Sequence, residues 1–157
     1  MVRMSQQPQR IVITREDIER LIEERNSLAA LLDVVRQNLA LVTQSINELR
    51  NAKDMLTLLS KGAVQDTYAG VGGGVFIKAS PAQGEKVLVS VGANFVVEMD
   101  VSYAINYIEE RIKEFEDLRS KLDAQSADIA KRITDIDNFL LYISAAIRQQ
   151  QQQQAGQ

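Results

Sequence analysis

The chain has 157 residues, 45% of them apolar but only 5% aromatic, with no Trp, Cys or His and a net charge of −3. The missing Cys and His exclude disulfides, thiol chemistry, a zinc site and a Ser-His-Asp triad, and no catalytic residue, metal or cofactor is expected. The acidic balance argues against a nucleic-acid surface, which needs clustered Lys and Arg, and no apolar run approaches the ~18 residues of a membrane span.

Residues 1–13 are read as a flexible N-terminal arm: Met1 to Gln9 is polar and holds Pro8, and the apolar patch Ile11-Val12-Ile13 follows. The start MVRMSQQPQR has no apolar signal core, so a non-secreted, cytoplasmic protein is expected. Thr14, with Asp17 three residues on, carries an N-cap signature. The first helix is placed at 14–61 and stopped by Lys61 and Gly62. Its apolar repeat is a heptad, with Leu21, Leu28, Val35, Val42, Leu49 and Leu56 at d and Ile18, Arg25, Leu32, Leu39, Ile46 and Lys53 at a. Alternating spacings of four and three over about six heptads mark a coiled-coil seam and not a globular helix.

Residues 62–99 interrupt this pattern. They hold seven of the eight glycines and the β-rich runs Val75-Phe76-Ile77, Val87-Leu88-Val89 and Phe95-Val96-Val97. Strands are expected there, with Ser80 to Glu85 as a hairpin loop and Gly92-Ala93-Asn94 as a second turn. Val64 to Tyr68 is a possible further strand and Gly70 to Gly74 a tight connection. Period-two alternation places Val75, Ile77, Val87, Val89, Val91 and Phe95 on one apolar face. A pair of hairpins is marginal alone in water, so this face and the strand edges need partners.

The second helix is placed at 100–148, with Asp100 able to cap it. Its d positions are Val101, Ile108, Phe115, Leu122, Ile129, Ile136 and Ile143; its a positions are Ile105, Ile112, Arg119, Ser126, Ile133, Leu140 and Ile147. The Gln-rich tail, 149–157, is expected to be disordered. Each helix would span roughly 70 Å, and an antiparallel intramolecular coiled coil buries both seams. Its register sets Ile18 on Ile143, Leu28 on Ile133, Ile46 on Phe115 and Leu56 on Ile105. The polar seam residues Arg25 and Lys53 then face Ile136 and Ile108, where long cations can snorkel out.

A two-helix seam does not account for every apolar residue. Phe139, Leu141 and Tyr142 lie off it, and Ile147, Ile22, Ile11 and Ile13 add to the same end. Either this surface packs on a neighbouring chain or on the N-terminal arm, or it is an exposed patch that binds other proteins. Other features have plainer readings. Gly70 to Gly74 lacks the Gly-Lys-Ser/Thr of a phosphate loop. Tyr103 and Tyr107 are expected to pack on the β region, and Glu23/Glu24 and Glu109/Glu110 to be solvated charge.

The plan of helix, hairpins and helix resembles the prefoldin subunits of archaea and eukaryotes, the α class in particular. Gly73-Gly74-Val75-Phe76-Ile77-Lys78-Ala79, then Val87-Leu88-Val89-Ser90-Val91-Gly92-Ala93-Asn94 and Val96-Val97-Glu98, is similar to that class's central block. The stretch Ala63 to Gly70 departs from the Leu-Val-Pro-like segment often found there, and the glutamine tail is a second departure. The resemblance implies a hexamer of two α-class and four β-class subunits whose hairpins assemble into a β-barrel platform. It also implies ATP-independent capture of unfolded clients at the coil tips and delivery to a group II chaperonin. Client contact would then fall to Ile11, Ile13, Ile22, Phe139, Leu141, Tyr142 and Ile147, and the alternating β face would be the subunit interface. A coiled-coil scaffold or tether docking one folded partner is the alternative.

Overall fold

The computed structural model describes residues 13–64, 66–80 and 86–155. The elements are α1 (Arg15–Ser60), β1 (Thr67–Gly72), β2 (Val75–Ala79), β3 (Val87–Gly92), β4 (Phe95–Met99) and α2 (Val101–Ala155). They form two units: Met1–Arg36 with Ala124–Gln157, and Gln37–Asp123.

The ends of α1 follow from local chemistry. The Asp17 N–H donates to Thr14 Oγ1 at 3.2 Å, and the Thr14 N–H donates back to Asp17 Oδ2 at 3.0 Å, a reciprocal capping box. The Thr14 hydroxyl and N–H, with Arg20 nearby, hold the Asp17 carboxyl below the usual range. At the other end Gly62 takes a φ of 64°, which only glycine adopts without cost. Its N–H donates to the Leu59 carbonyl at 3.0 Å and that of Ala63 to the Leu58 carbonyl at 3.1 Å, the Schellman pattern. α2 starts at Val101, with the Asp100 carbonyl accepting from the Ala104 N–H. It continues to Ala155, which corrects the expected disorder of the tail from residue 149. Glutamine is a good helix former, so the run prolongs a helix already nucleated.

The heptads mark the buried side of both helices. Every a and d position of α1 from Ile18 to Leu56 is buried or half-buried, as is every one of α2 from Val101 to Ile143. In the first unit Leu32, Val35, Ile129, Ile136 and Ile143 are buried; in the second Val42, Ile46 and Ile108 are, and Ile46 is fully enclosed at 0% exposure. The seam cations turn out of the core. Arg25 Nε meets Asp137 Oδ1 at 3.1 Å, and Lys53 Nζ meets Glu109 Oε1 at 3.5 Å. Each carboxylate stands one residue past the isoleucine assigned to that cation by the heptad register. Glu24–Arg132 at 2.8 Å and Arg50–Glu116 at 2.6 Å join the helices along the flanks. They link g to g and e to e positions, as an antiparallel pair requires. Within the first unit, cysteines replacing Leu28 and Ile133 are expected to oxidise to a disulfide, whereas Leu28 with Leu140 should not close; bridged Cα atoms must lie within about 7 Å. A gel-shift or mass assay reads this directly, because the chain has no native Cys.

The β residues form two separate two-stranded antiparallel sheets, β1–β2 and β3–β4. β1 is Thr67–Gly72, later than the expected Val64 to Tyr68, so Gly70 and Gly72 belong to a strand and not to a connection. The turns fall at Gly73-Gly74 and Ala93-Asn94, where all four φ values lie between 47° and 77°. Positive φ at both central residues matches the twist of the flanking strands. β2 and β3 do not pair, so the segment from Ser80 joins two hairpins instead of turning within one. Residues 81–85 of that expected loop lie outside the described residues. The hairpins repeat each other: Thr67↔Ala79 recurs as Val87↔Met99, and Gly72↔Val75 as Gly92↔Phe95. Every pair is displaced by twenty residues, bulge included.

Candidate functional site

Two surfaces stand apart from the cores of their units. The first belongs to the unit of the termini. Ile13, Ile22, Phe139, Leu141, Tyr142 and Ile147 are all exposed, Leu141 at 68% and Tyr142 at 71%. Ile11 lies outside the described residues. The heptad explains the exposure of Leu141 and Tyr142: Leu140 and Ile143 fill the seam, which leaves these two at the outward b and c positions. Ile22, at an e position, and Phe139, at a g position, flank the seam on opposite sides. The apolar surface therefore wraps around this unit instead of forming one face. Leu141 also borders a cleft with Arg25, Asp137, Leu140 and Ser144, so apolar surface lies beside an ion pair.

The second surface is in the unit Gln37–Asp123. Cross-strand pairing puts Ala69, Ile77, Val89 and Val97 on the same face of their respective hairpins, and strand alternation adds Val75, Val87 and Phe95. Each predicted interface residue thus lies on one face of its hairpin, with Val91 at the bulge. Val75, Ile77, Val91 and Phe95 are exposed, whereas Val87 and Val89 are half-buried. The opposite faces also show apolar side chains, namely Tyr68, Phe76, Leu88 and Val96.

Val87, Leu88, Val89 and Ser90 line a cavity of about 600 Å³ against the flank of the coil. Its other walls include Ala52, Met55 and Leu56 of α1 and Tyr107, Ile108 and Phe115 of α2. The Arg111 guanidinium lies over the Phe115 ring, 5.1 Å from its centroid, and its Nη1 pairs with Glu114 at 2.7 Å. Tyr107 borders the β region as expected, whereas Tyr103 is 64% exposed. The cavity was not foreseen. Its wall on α1 uses the g position Ala52 and the c position Met55, and small or apolar residues at these normally polar positions were the available signal. Among the described residues no cluster of acidic groups could hold a metal ion.

The profile of the Prefoldin family, described as a prefoldin subunit, matches residues 28–140. The chain belongs to the prefoldin family. It is similar to the prefoldin subunit alpha of Pyrobaculum aerophilum, 30% identical over 82% of this chain and 96% of that one. The prefoldin subunit alpha of Pyrococcus horikoshii is 28% identical over 77% of this chain and 83% of the relative. Among solved structures, a chain of the filamentous PFD from Methanocaldococcus jannaschii, seen by cryo-EM, superposes with a TM-score of 0.61 at 26% identity. The match covers 74% of this chain and 97% of that one. As a prefoldin, the chain is a chaperone subunit that works in an oligomer, and its two helices and two hairpins are the prefoldin fold. No helix among the described residues is long and apolar enough to cross a membrane.

Proposed function

We propose that this prefoldin chain is an ATP-independent holdase subunit, not an enzyme, that captures unfolded proteins on the exposed apolar surface of the terminal unit. The observation that carries this reading is the exposure of Ile22, Phe139, Leu141 and Tyr142 around a seam that is already filled. An unfolded chain presents scattered apolar side chains, and a surface that wraps around a coil can meet them without demanding a sequence. Each buried contact contributes about 1.5–3 kcal/mol before ordering costs, so one coil binds weakly. Several coils on one client raise the effective concentration and hence the avidity.

The assembly proposed is a hexamer of two α-class chains, this one among them, and four β-class subunits, joined through the hairpins as a β-barrel platform. The exposed apolar faces of both hairpins support it. The clients are passed to a group II chaperonin in the cytoplasm.

Changing Phe139, Leu141 and Tyr142 together to Ser is expected to leave assembly and helicity intact. It should weaken suppression of aggregation for several unrelated denatured proteins. Full protection by the triple variant would overturn the reading. Protection of one protein only, by the parent, would make the chain a tether instead.

A further inference from the structure

Residues 1–12 lead into the capped start of α1, at the end of the seam where the exposed apolar surface of the terminal unit lies. They hold the apolar side chains of Met1, Val2, Met4, Ile11 and Val12, the cations Arg3 and Arg10, and no acid. The register that sets Ile18 on Ile143 brings the cap residue Thr14 level with Ile147, which is 45% exposed. Past that level α2 continues through Arg148 and Gln149 to Gln154 and ends at Ala155.

Two directions are open to this segment. Onward along the end of α2, Ile11 and Val12 would meet glutamines, and Arg10 would meet the like charge of Arg148. Folded back, they would meet the apolar side chains that the seam leaves out. An extended residue spans about 3.3 Å and a helical one about 1.5 Å, so the second and third residues before Thr14 fall level with Tyr142 and Leu141. Those two residues are Val12 and Ile11. Charge then chooses the side of the coil. One heptad before Tyr142, on the same stripe, stands Asp135, and Phe139 adjoins that stripe. One heptad before Leu141 stands the uncharged Thr134, and Asp137 on that side is already paired with Arg25. Arg10 therefore finds an acid on the Phe139–Tyr142 side. An exposed pair of this kind sets placement more than affinity.

We infer that the N-terminal arm folds back over Phe139 and Tyr142, with Ile11 and Val12 against them and Arg10 toward Asp135, as an internal stand-in that a client must displace. Leu141 and Ile22, on the other side of the coil, stay open for first contact. The arm is tethered, so its effective concentration at the patch is about millimolar, and weak contacts suffice to cover it. Covering lowers the apparent affinity for clients by the fraction of chains left uncovered. A client with many apolar segments still wins by engaging both sides of the coil, whereas one with a single segment does not. The inference rests on the client-binding reading of this surface and adds how access to it is controlled.

Full-length chains with engineered cysteines test the placement. I11C with Y142C is expected to close an intramolecular disulfide several-fold faster than I11C with Q153C, which samples the onward direction. Equal rates, or faster closure to position 153, would overturn the inference. Binding of a fluorophore-labelled, reduced and carboxymethylated lactalbumin, which stays unfolded, tests the competition. The oxidised I11C/Y142C chain should bind it several-fold more weakly than the same chain after reduction. I11S/V12S should bind it several-fold more tightly than the parent. D135N should also bind it more tightly, and should add nothing in the I11S/V12S background. Weaker binding by I11S/V12S would make Ile11 and Val12 client contacts, and unchanged binding would leave the arm off the surface. Either result overturns the inference, while the holdase reading stands so long as Ser at Phe139, Leu141 and Tyr142 together still removes client binding. If that triple variant binds like the parent, the client surface itself is wrong, and the competition falls with it.

Discussion

Replacing Val89 by Asp is expected to abolish assembly with partner subunits while leaving both helices formed. Val89 pairs with Val97 across the second hairpin and lines the cavity against the coil. A carboxylate there loses water on both counts, against the coil flank and again when a neighbouring strand arrives. An unpaired buried charge costs several kcal/mol, enough to reverse most subunit associations. The helices are held by a different set of contacts, the seam from Val42 to Ile108, and do not depend on this face. Sedimentation with a co-expressed β-class subunit, read beside far-UV circular dichroism, separates the outcomes. An assembly that survives the substitution would remove Val89 from the interface.

Ile46→Ala is expected to give the largest stability loss of any single truncation in the coil. Ile46 is fully enclosed, and the half-buried Phe115 faces it in the heptad register. Removing its outer carbons forfeits their transfer energy and leaves a cavity, together about 2–5 kcal/mol. At 2–4 °C per kcal/mol for a chain of this size, the melting temperature should fall by roughly 5–15 °C. Leu41→Ala is the matched control. It lies five residues earlier on the same helix, removes a similar volume and is 62% exposed. Its effect should stay within about 0.5 kcal/mol. Equal losses for the two would mean that the seam is not where the heptad places it.

Both predictions use features that differ in how far the sequence announces them. The coil was legible because its stabilisation is periodic. Each a and d residue packs on an equivalent one, so spacing alone identifies the buried side, and the Thr14 and Gly62 stops are local signals that need no tertiary partner. The surplus apolar residues Leu141 and Tyr142 could be recognised for the same reason: a seam of known width leaves a definite remainder. The polyglutamine run was misread because composition suggested disorder, whereas a run of good helix formers attached to a long helix continues it.

The sequence by itself determined the two seams, their register, the strand-rich interruption and the excess apolar surface, because each rests on interactions between residues at fixed spacing. Tertiary structure alone decided the rest. β2 and β3 follow each other in the chain yet belong to different sheets, which strand propensity has no means to show. Ala104, at a g position, is fully enclosed, and Leu59 and Met99 are buried, because the coil and the hairpins meet in that unit. The cavity beside β3 exists only where that strand and the coil flank come together. Propensity and periodicity are properties of neighbours along the chain, whereas an edge, a groove or a pair of equivalent hairpins is a property of segments brought together by folding.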